Sequence, residues 1–164
     1  MSSKVAVIGA GHVGATIAYT LTVTGAAAEI VLIDINEKKA FGEALDIRQG
    51  TAYCNPSNVY SGTYADAKGA DIVIITSGVA RKAGQSRLEL SQINTDIIKQ
   101  IAPKITKYAP DAIYVIVANP VDILTYVFTK VSGIPQNRVL GSGTLLSLIH
   151  ILSRLRPSAK LLPP

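Results

Sequence analysis

Gly9-Ala10-Gly11-His12-Val13-Gly14 is the stretch on which the reading of this chain turns. It follows Val5–Ile8, a short apolar run rich in β-branched residues, and precedes Val13, Ile17 and Leu21, which recur every four residues until Gly25. A GxGxxG alone is a weak signal, but one that ends a strand and opens a helix is in the context a phosphate-binding turn requires. Gly9 then allows the tight turn, Gly11 lets the backbone approach a pyrophosphate, and Gly14 lets helix and strand pack closely. The helix N-terminus faces the anion with free N–H groups and a favourable dipole. Asp34 ends a second strand, Glu29–Ile33, 20 residues after Gly14. A carboxylate there accepts hydrogen bonds from ribose hydroxyls and repels a 2′-phosphate, which favours NAD over NADP. The competing reading is a glycine turn needed only for packing, with Asp34 as a helix-flanking acid.

Outward from this turn, apolar runs and helical periods alternate. Asn36 can cap a helix running to about Gln49, with Gly50 beyond it. Asn58–Ser61 is a weak third strand and Ile72–Thr76 a strong fourth. A polar loop leads into a long helix whose Ile93, Ile97, Ile101 and Ile105 mark one buried face, with Pro103 expected to kink it. Ile113–Ala118 is a fifth strand. Pro120 suits the first turn of a helix ending near Gly133, and Val139–Gly141 is a sixth short strand. Strands continuous in Val and Ile, alternating with helices, predict an α/β fold: a doubly wound, six-stranded parallel sheet covered on both faces.

Composition narrows the function classes. The chain has 164 residues, 48% of them hydrophobic, within the usual span of one domain of roughly 100–200 residues. The lone Cys54 excludes an internal disulfide, and no Cys/His cluster suggests a metal. The net charge of +5 hints at a nucleic-acid partner, yet the segment from Ser147 onward carries Arg154, Arg156 and Lys160 and no acid. Removing those three from the 16 basic residues leaves 13 against 11 acids, scattered without a basic stripe, so no nucleic-acid binding is expected. Val5 to Ala28 carries no charge and has the length of a membrane span, but its four glycines and their spacing argue for a strand and a buried helix instead.

A second constellation follows the fourth strand. Gly78-Val79-Ala80-Arg81-Lys82-Ala83-Gly84-Gln85-Ser86-Arg87 is a cationic loop bracketed by glycines at the carboxyl end of the sheet, where open α/β folds bind ligands. An Arg-bearing loop there suits closure over an anionic substrate; an ordinary solvated surface loop fits the spacing equally well.

Together, Gly9–Gly14, Asp34, the Arg81–Arg87 loop, Asn119-Pro120-Val121-Asp122 and Gly141-Ser142-Gly143-Thr144 resemble the NAD-dependent L-lactate/malate dehydrogenases, in the family's order, over residues 4–144. The resemblance implies a Rossmann NAD-binding domain at 1–144 and hydride transfer between NAD and a small 2-oxo or 2-hydroxy acid. It implies Arg87 as the catalytic arginine that polarises the substrate carbonyl, Asn119 as a hydrogen-bond donor to the substrate oxygen, and Arg81 as the residue that discriminates substrates. Asn119, before Pro120, is also a natural helix cap. Cofactor contacts are implied for Gly9, Gly11, Val13, Gly14, Asp34, Lys39, Tyr64, Gly78, Val79, Val117, Asn119 and Ser142; Lys39 and Tyr64 rest on the resemblance alone. A cytoplasmic glycolytic or fermentative homo-oligomer, a tetramer, is implied for the intact enzyme.

Two substrates compete. Arg81 matches the family's malate enzymes, because a second carboxylate would pair with it. Asn119–Tyr126, Gly141–Thr144, Gly42–Asp46 and Arg87–Leu90 look more like lactate dehydrogenases, and lactate is preferred. The family's Asp–His acid/base pair matches no residue: His12 flanks the turn and His150 fits no motif. After Thr144 the pattern stops, and residues 145–164 read as an aberrant tail with the substrate domain missing. A catalytically dead NAD-binding fragment is therefore a further expectation for these 164 residues.

Overall fold

The structure is a computed structural model, and it describes residues 3–80, 84 and 86–143. Six strands run in parallel: β1 (Lys4–Ile8), β2 (Glu29–Ile33), β3 (Asn58–Ser61), β4 (Ile72–Ile75), β5 (Ile113–Ile116) and β6 (Val139–Gly141). Their order in the sheet is β3-β2-β1-β4-β5-β6. The chain therefore reverses its direction of growth between β1 and β4, and that switch point opens a crevice at the strand ends. Among the described residues four α-helices cross over: α1 (His12–Thr24), α2 (Glu37–Gly50), α3 (Arg87–Thr106) and α4 (Val121–Ser132).

Side chains alternate along each strand and so feed two cores. Val5, Val7, Ile30, Leu32 and Val59 pack against Ala18 of α1 and Ala40, Ala44 and Ile47 of α2. Ala6, Ile8, Val31, Ile33, Val73, Ile75, Tyr114 and Ile116 turn to the other face, against Ile98, Ile101 and Ile105 of α3 and Leu124 and Phe128 of α4. The Tyr114 and Phe128 rings stack at 4.8 Å, tilted by 38°, and the Tyr114 hydroxyl donates to the Ala109 carbonyl at 2.7 Å. Among the described residues, no helix is long and apolar enough to cross a membrane.

The elements correct the sequence expectations in detail. The fully buried seam α1 lays on the sheet is Gly14, Ala18 and Thr22; Ile17 and Leu21 pack beside it partly buried, and Val13 is 55% exposed. Small residues face inward because the helix sits close to the strands at the glycine turn. On α3 the buried face is Asn94, Ile98, Ile101, Ala102 and Ile105, while Ile93 is exposed and Ile97 only partly buried. Four-residue spacing drifts about 40° per step against the 3.6-residue turn, so a stripe of four isoleucines winds off the core. The helix runs on through Pro103 to Thr106.

Gly50 does not end α2 but lies within it, and the chain continues into a 3-10 turn at Thr51–Tyr53. The Thr51 hydroxyl donates to the Arg48 carbonyl at 2.7 Å, so no left-handed glycine is needed there. Asn36 caps α2 as expected, accepting from the Lys39 N–H at 3.1 Å. Asn119 is not the cap of α4. That position is Pro120, joined to Asn119 by a cis peptide, and the Leu124 N–H closes the first turn onto the Pro120 carbonyl. β4 and β5 end at Ile75 and Ile116, short of Thr76 and Ala118, where the chain peels away into the loops that flank the crevice. The tail beyond Gly143 lies outside the described residues.

Candidate functional site: a cleft at the switch point

The turn is built as its glycines predict. Gly9 adopts φ +106°, a conformation side chains rarely take, and a Cβ there would lie 2.7 Å from Thr76 Oγ1. A Cβ on Gly14 would fall on the Gly9 carbonyl oxygen. Around Gly11, by contrast, a Cβ would meet nothing within 4 Å. Gly11 is also the N-cap of α1, so no side chain caps the helix, and its first turn holds no acid. The N–H groups and the positive end of the dipole are thus left facing the space beyond Gly11.

Neighbouring strands brace this turn. The Gly9 N–H donates to the Ile33 carbonyl at 2.7 Å, and Thr76 Oγ1 donates to the carbonyls of Gly9 at 3.0 Å and Ile8 at 3.2 Å. Asp34 does more than flank a helix. Its Oδ2 accepts from the Ala10 N–H at 2.7 Å and its Oδ1 from the Asn36 N–H at 2.8 Å. The carboxylate is therefore aimed by two backbone donors, one of them in the glycine turn.

A cleft of about 380 Å³ opens at these strand ends. It brings together seven of the expected cofactor residues: Gly9, Gly11, Asp34, Lys39, Tyr64, Gly78 and Val79. Burial, and then the nearby Asp34 charge, push the Tyr64 phenol up from its usual value, so it stays neutral over the physiological range. Lys39 and Lys104 add positive charge to the walls, which suits an anionic ligand.

The other expected residues fall elsewhere. Gly14 is buried beneath the turn, and Val13 stands exposed on the first turn of α1. Val117 and Ser142 follow the ends of β5 and β6, where their N–H groups donate to Ile75 at 2.9 Å and Ile116 at 3.0 Å. Asn119 lies beyond Val117 and is exposed. Arg87 opens α3 and is exposed, behind a capping box in which Ser86 and Glu89 bond each other's backbone N–H. Arg81 lies outside the described residues.

Sequence reasoning missed several residues of the site. Thr76, just past the end of β4, Ser77 after it, and Ile97, Gln100, Ile101 and Lys104 of α3 all line the cleft. For the α3 residues, their spacing of three and four residues on successive turns is the signal available. Asn94, buried beneath Gly78 and Val79, was missed because it interrupts an apolar face.

Comparison with known proteins agrees with this geometry. Residues 3–141 match the family described as lactate/malate dehydrogenase, NAD binding domain. An L-lactate dehydrogenase of Thermoanaerobacterium saccharolyticum is 55% identical over 144 residues, 88% of this chain and 46% of the relative. The crystal structure of a minor L-lactate dehydrogenase from Enterococcus mundtii, in a ligands-bound form, superposes with a TM-score of 0.85 at 43% identity, covering 95% of this chain and 52% of that one. A malate dehydrogenase from Archaeoglobus fulgidus, solved with NADH, superposes equally well at 41% identity, over 93% of this chain and 52% of the other. The chain thus spans about half the length of the curated relatives it matches.

Proposed function

Because the chain belongs to the lactate/malate dehydrogenase NAD-binding domain family, we propose that it is the cofactor-holding part of an enzyme transferring hydride between NAD and a small 2-oxo or 2-hydroxy acid, with pyruvate and L-lactate as the pair. The observation that carries this reading is the open N-terminus of α1 at Gly11 facing the same cleft as the aimed carboxylate of Asp34. Those two features fit a dinucleotide: the helix end takes the pyrophosphate, and Asp34 takes the adenosine ribose and disfavours a 2′-phosphate. Tyr64, Ile97 and Ile101 form the less polar wall beyond Asp34, suited to adenine.

The bound cofactor supplies the hydride; this chain's residues bind, orient and exclude water. Gly78 and Val79, with Val117 and Ser142, flank the nicotinamide half. Asn119 hydrogen-bonds the substrate oxygen, and Arg87 polarises the substrate carbonyl as negative charge develops on it. The lactate reading is supported by the 55% identical curated relative. Malate remains the second reading because malate dehydrogenase structures superpose as closely. Exposed Tyr19 and Val23 on α1 and Phe41 on α2 suit burial in a homo-oligomer, and a cytoplasmic setting accompanies this function.

Fluorescence titration tests the cofactor step. NADH should bind the chain and NADPH at least about tenfold more weakly; equal binding of the two, or none of either, refutes the assignment of the cleft. Fusing residues 3–143 to the C-terminal part of a relative, and comparing pyruvate with oxaloacetate reduction, tests the substrate.

A further inference from the structure

Asn94 sits on the inner face of α3 with 2% of its surface exposed. Only one other polar residue is as buried among the described residues, Thr22, and its hydroxyl turns back to its own helix at Ala18. Asn94 instead reaches out of its helix to two loops. Its Oδ1 accepts from the Val79 N–H at 2.8 Å, and its Nδ2 donates to the Asn119 carbonyl at 2.7 Å and the Val79 carbonyl at 3.3 Å. The opposite amide orientation would set two donors against the Val79 N–H and an oxygen against two carbonyls, so the pattern fixes the group. Gly78 lies flat on it, since a Cβ there would be 3.3 Å from Oδ1.

Beyond the strand ends, no other hydrogen bond among the described residues joins 77–80 to 117–120. The carboxamide is therefore the link between the loop after β4 and the loop after β5. A leucine of the same shape would strand one N–H and two carbonyls, all in part-buried bonds. An aspartate would turn a charged oxygen toward the two carbonyls.

We propose that Asn94 is a positioning residue: its buried side chain sets the spacing of Val79 and Asn119, and so shapes the end of the cleft away from Asp34. The inference rests on the cofactor reading above, in which that end holds the nicotinamide half and the substrate. Asn94 touches neither. It acts through the two loops, and a ligand that fills only the Asp34 end should not sense it.

AMP and NADH separate the two ends. The full 164-residue chain, labelled with 15N, is titrated with each while the Asn94 side-chain NH₂ and the Val79 N–H are followed by NMR. NADH should shift both signals and AMP should leave them in place. Asn94→Leu should weaken NADH about tenfold and leave AMP affinity unchanged. If the variant does not fold, the wild-type signals still decide. An Asn94 side chain that stays silent at saturating NADH overturns the inference and leaves the cofactor reading intact. Equal losses of AMP and NADH affinity in Asn94→Leu would assign Asn94 a general structural role and also overturn it. A wild-type chain that binds neither ligand overturns both.

Discussion

Replacing Gly11 and Gly14 in turn by alanine should separate binding from folding within a single turn. At Gly14 the new Cβ would fall on the Gly9 carbonyl oxygen and lie 2.9 Å from Thr76 Oγ1. Neither neighbour can yield easily: Gly9 is held by its N–H to Ile33, and Thr76 bonds two carbonyls of β1 and the turn. Relief requires α1 to lift from the sheet, an overpacking cost of about 1–3 kcal/mol. With no slack at this contact we take the upper end, from which the helix preference for Ala over Gly returns about 1 kcal/mol. The net loss of about 2 kcal/mol should lower Tm by about 4–8 °C.

At Gly11 the backbone has φ −77° and ψ −176°, open to any residue, and the Cβ would meet nothing within 4 Å. Gly11→Ala should therefore leave Tm within about 2–4 °C of the wild type, because the lower entropy of the unfolded chain offsets the N-cap preference for glycine over alanine. The same methyl would stand where a pyrophosphate must approach, so NADH affinity should fall by at least about tenfold, or about 1.4 kcal/mol. Thermal melts and NADH fluorescence titrations on both variants decide the matter. A Gly11→Ala chain that binds NADH like the wild type, or a Gly14→Ala chain that melts like it, would refute the reasoning.

Three further outcomes follow from other contacts. Asp34→Asn leaves one acceptor for two backbone donors, so it should lose about 1–3 kcal/mol in denaturant unfolding and narrow the preference for NADH over NADPH. The Glu29 carboxyl is held below its usual range, first by the Tyr60 hydroxyl at 2.6 Å and then by Lys4 at 2.9 Å. Its stabilising effect is present above the unfolded-state value and fades as pH falls through the lower folded value; Tyr60→Phe should raise the Glu29 midpoint in an NMR titration. Burial pushes the Tyr114 hydroxyl up to about 12. The folded chain then keeps a proton that the unfolded chain loses near pH 10, so stability should decline as pH rises between these values, and Tyr114→Phe should flatten that decline in alkaline melts.

Much of the candidate cleft is legible in the sequence because it is written in residues that do one thing. Glycine at positions 9, 11 and 14 after an apolar strand leaves few alternatives, and Asp34 follows at the distance one crossover helix demands. Other parts resisted reading for identifiable reasons. The isoleucine stripe of α3 suggested a face that a 3.6-residue turn does not maintain, and the true face contains a polar residue, Asn94. Hydropathy places asparagine outside a core; only its partners on two distant loops make it affordable inside. The two backbone donors on Asp34 were invisible for the same reason, since Ala10 and Asn36 approach it only after β1 and β2 have paired.

The alternation of strands and helices, the glycine turn, the acid at the end of β2 and the family resemblance are legible without any fold, because local periodicity and special backbone needs are carried residue by residue. The tertiary structure decided which faces are buried, how Gly11 differs from Gly14, and which side chains fasten the loops around the cleft. Those depend on contacts between segments far apart in the chain, such as Thr76 with Gly9 and Asn94 with Asn119, and the distances that make them exist only once the sheet has formed.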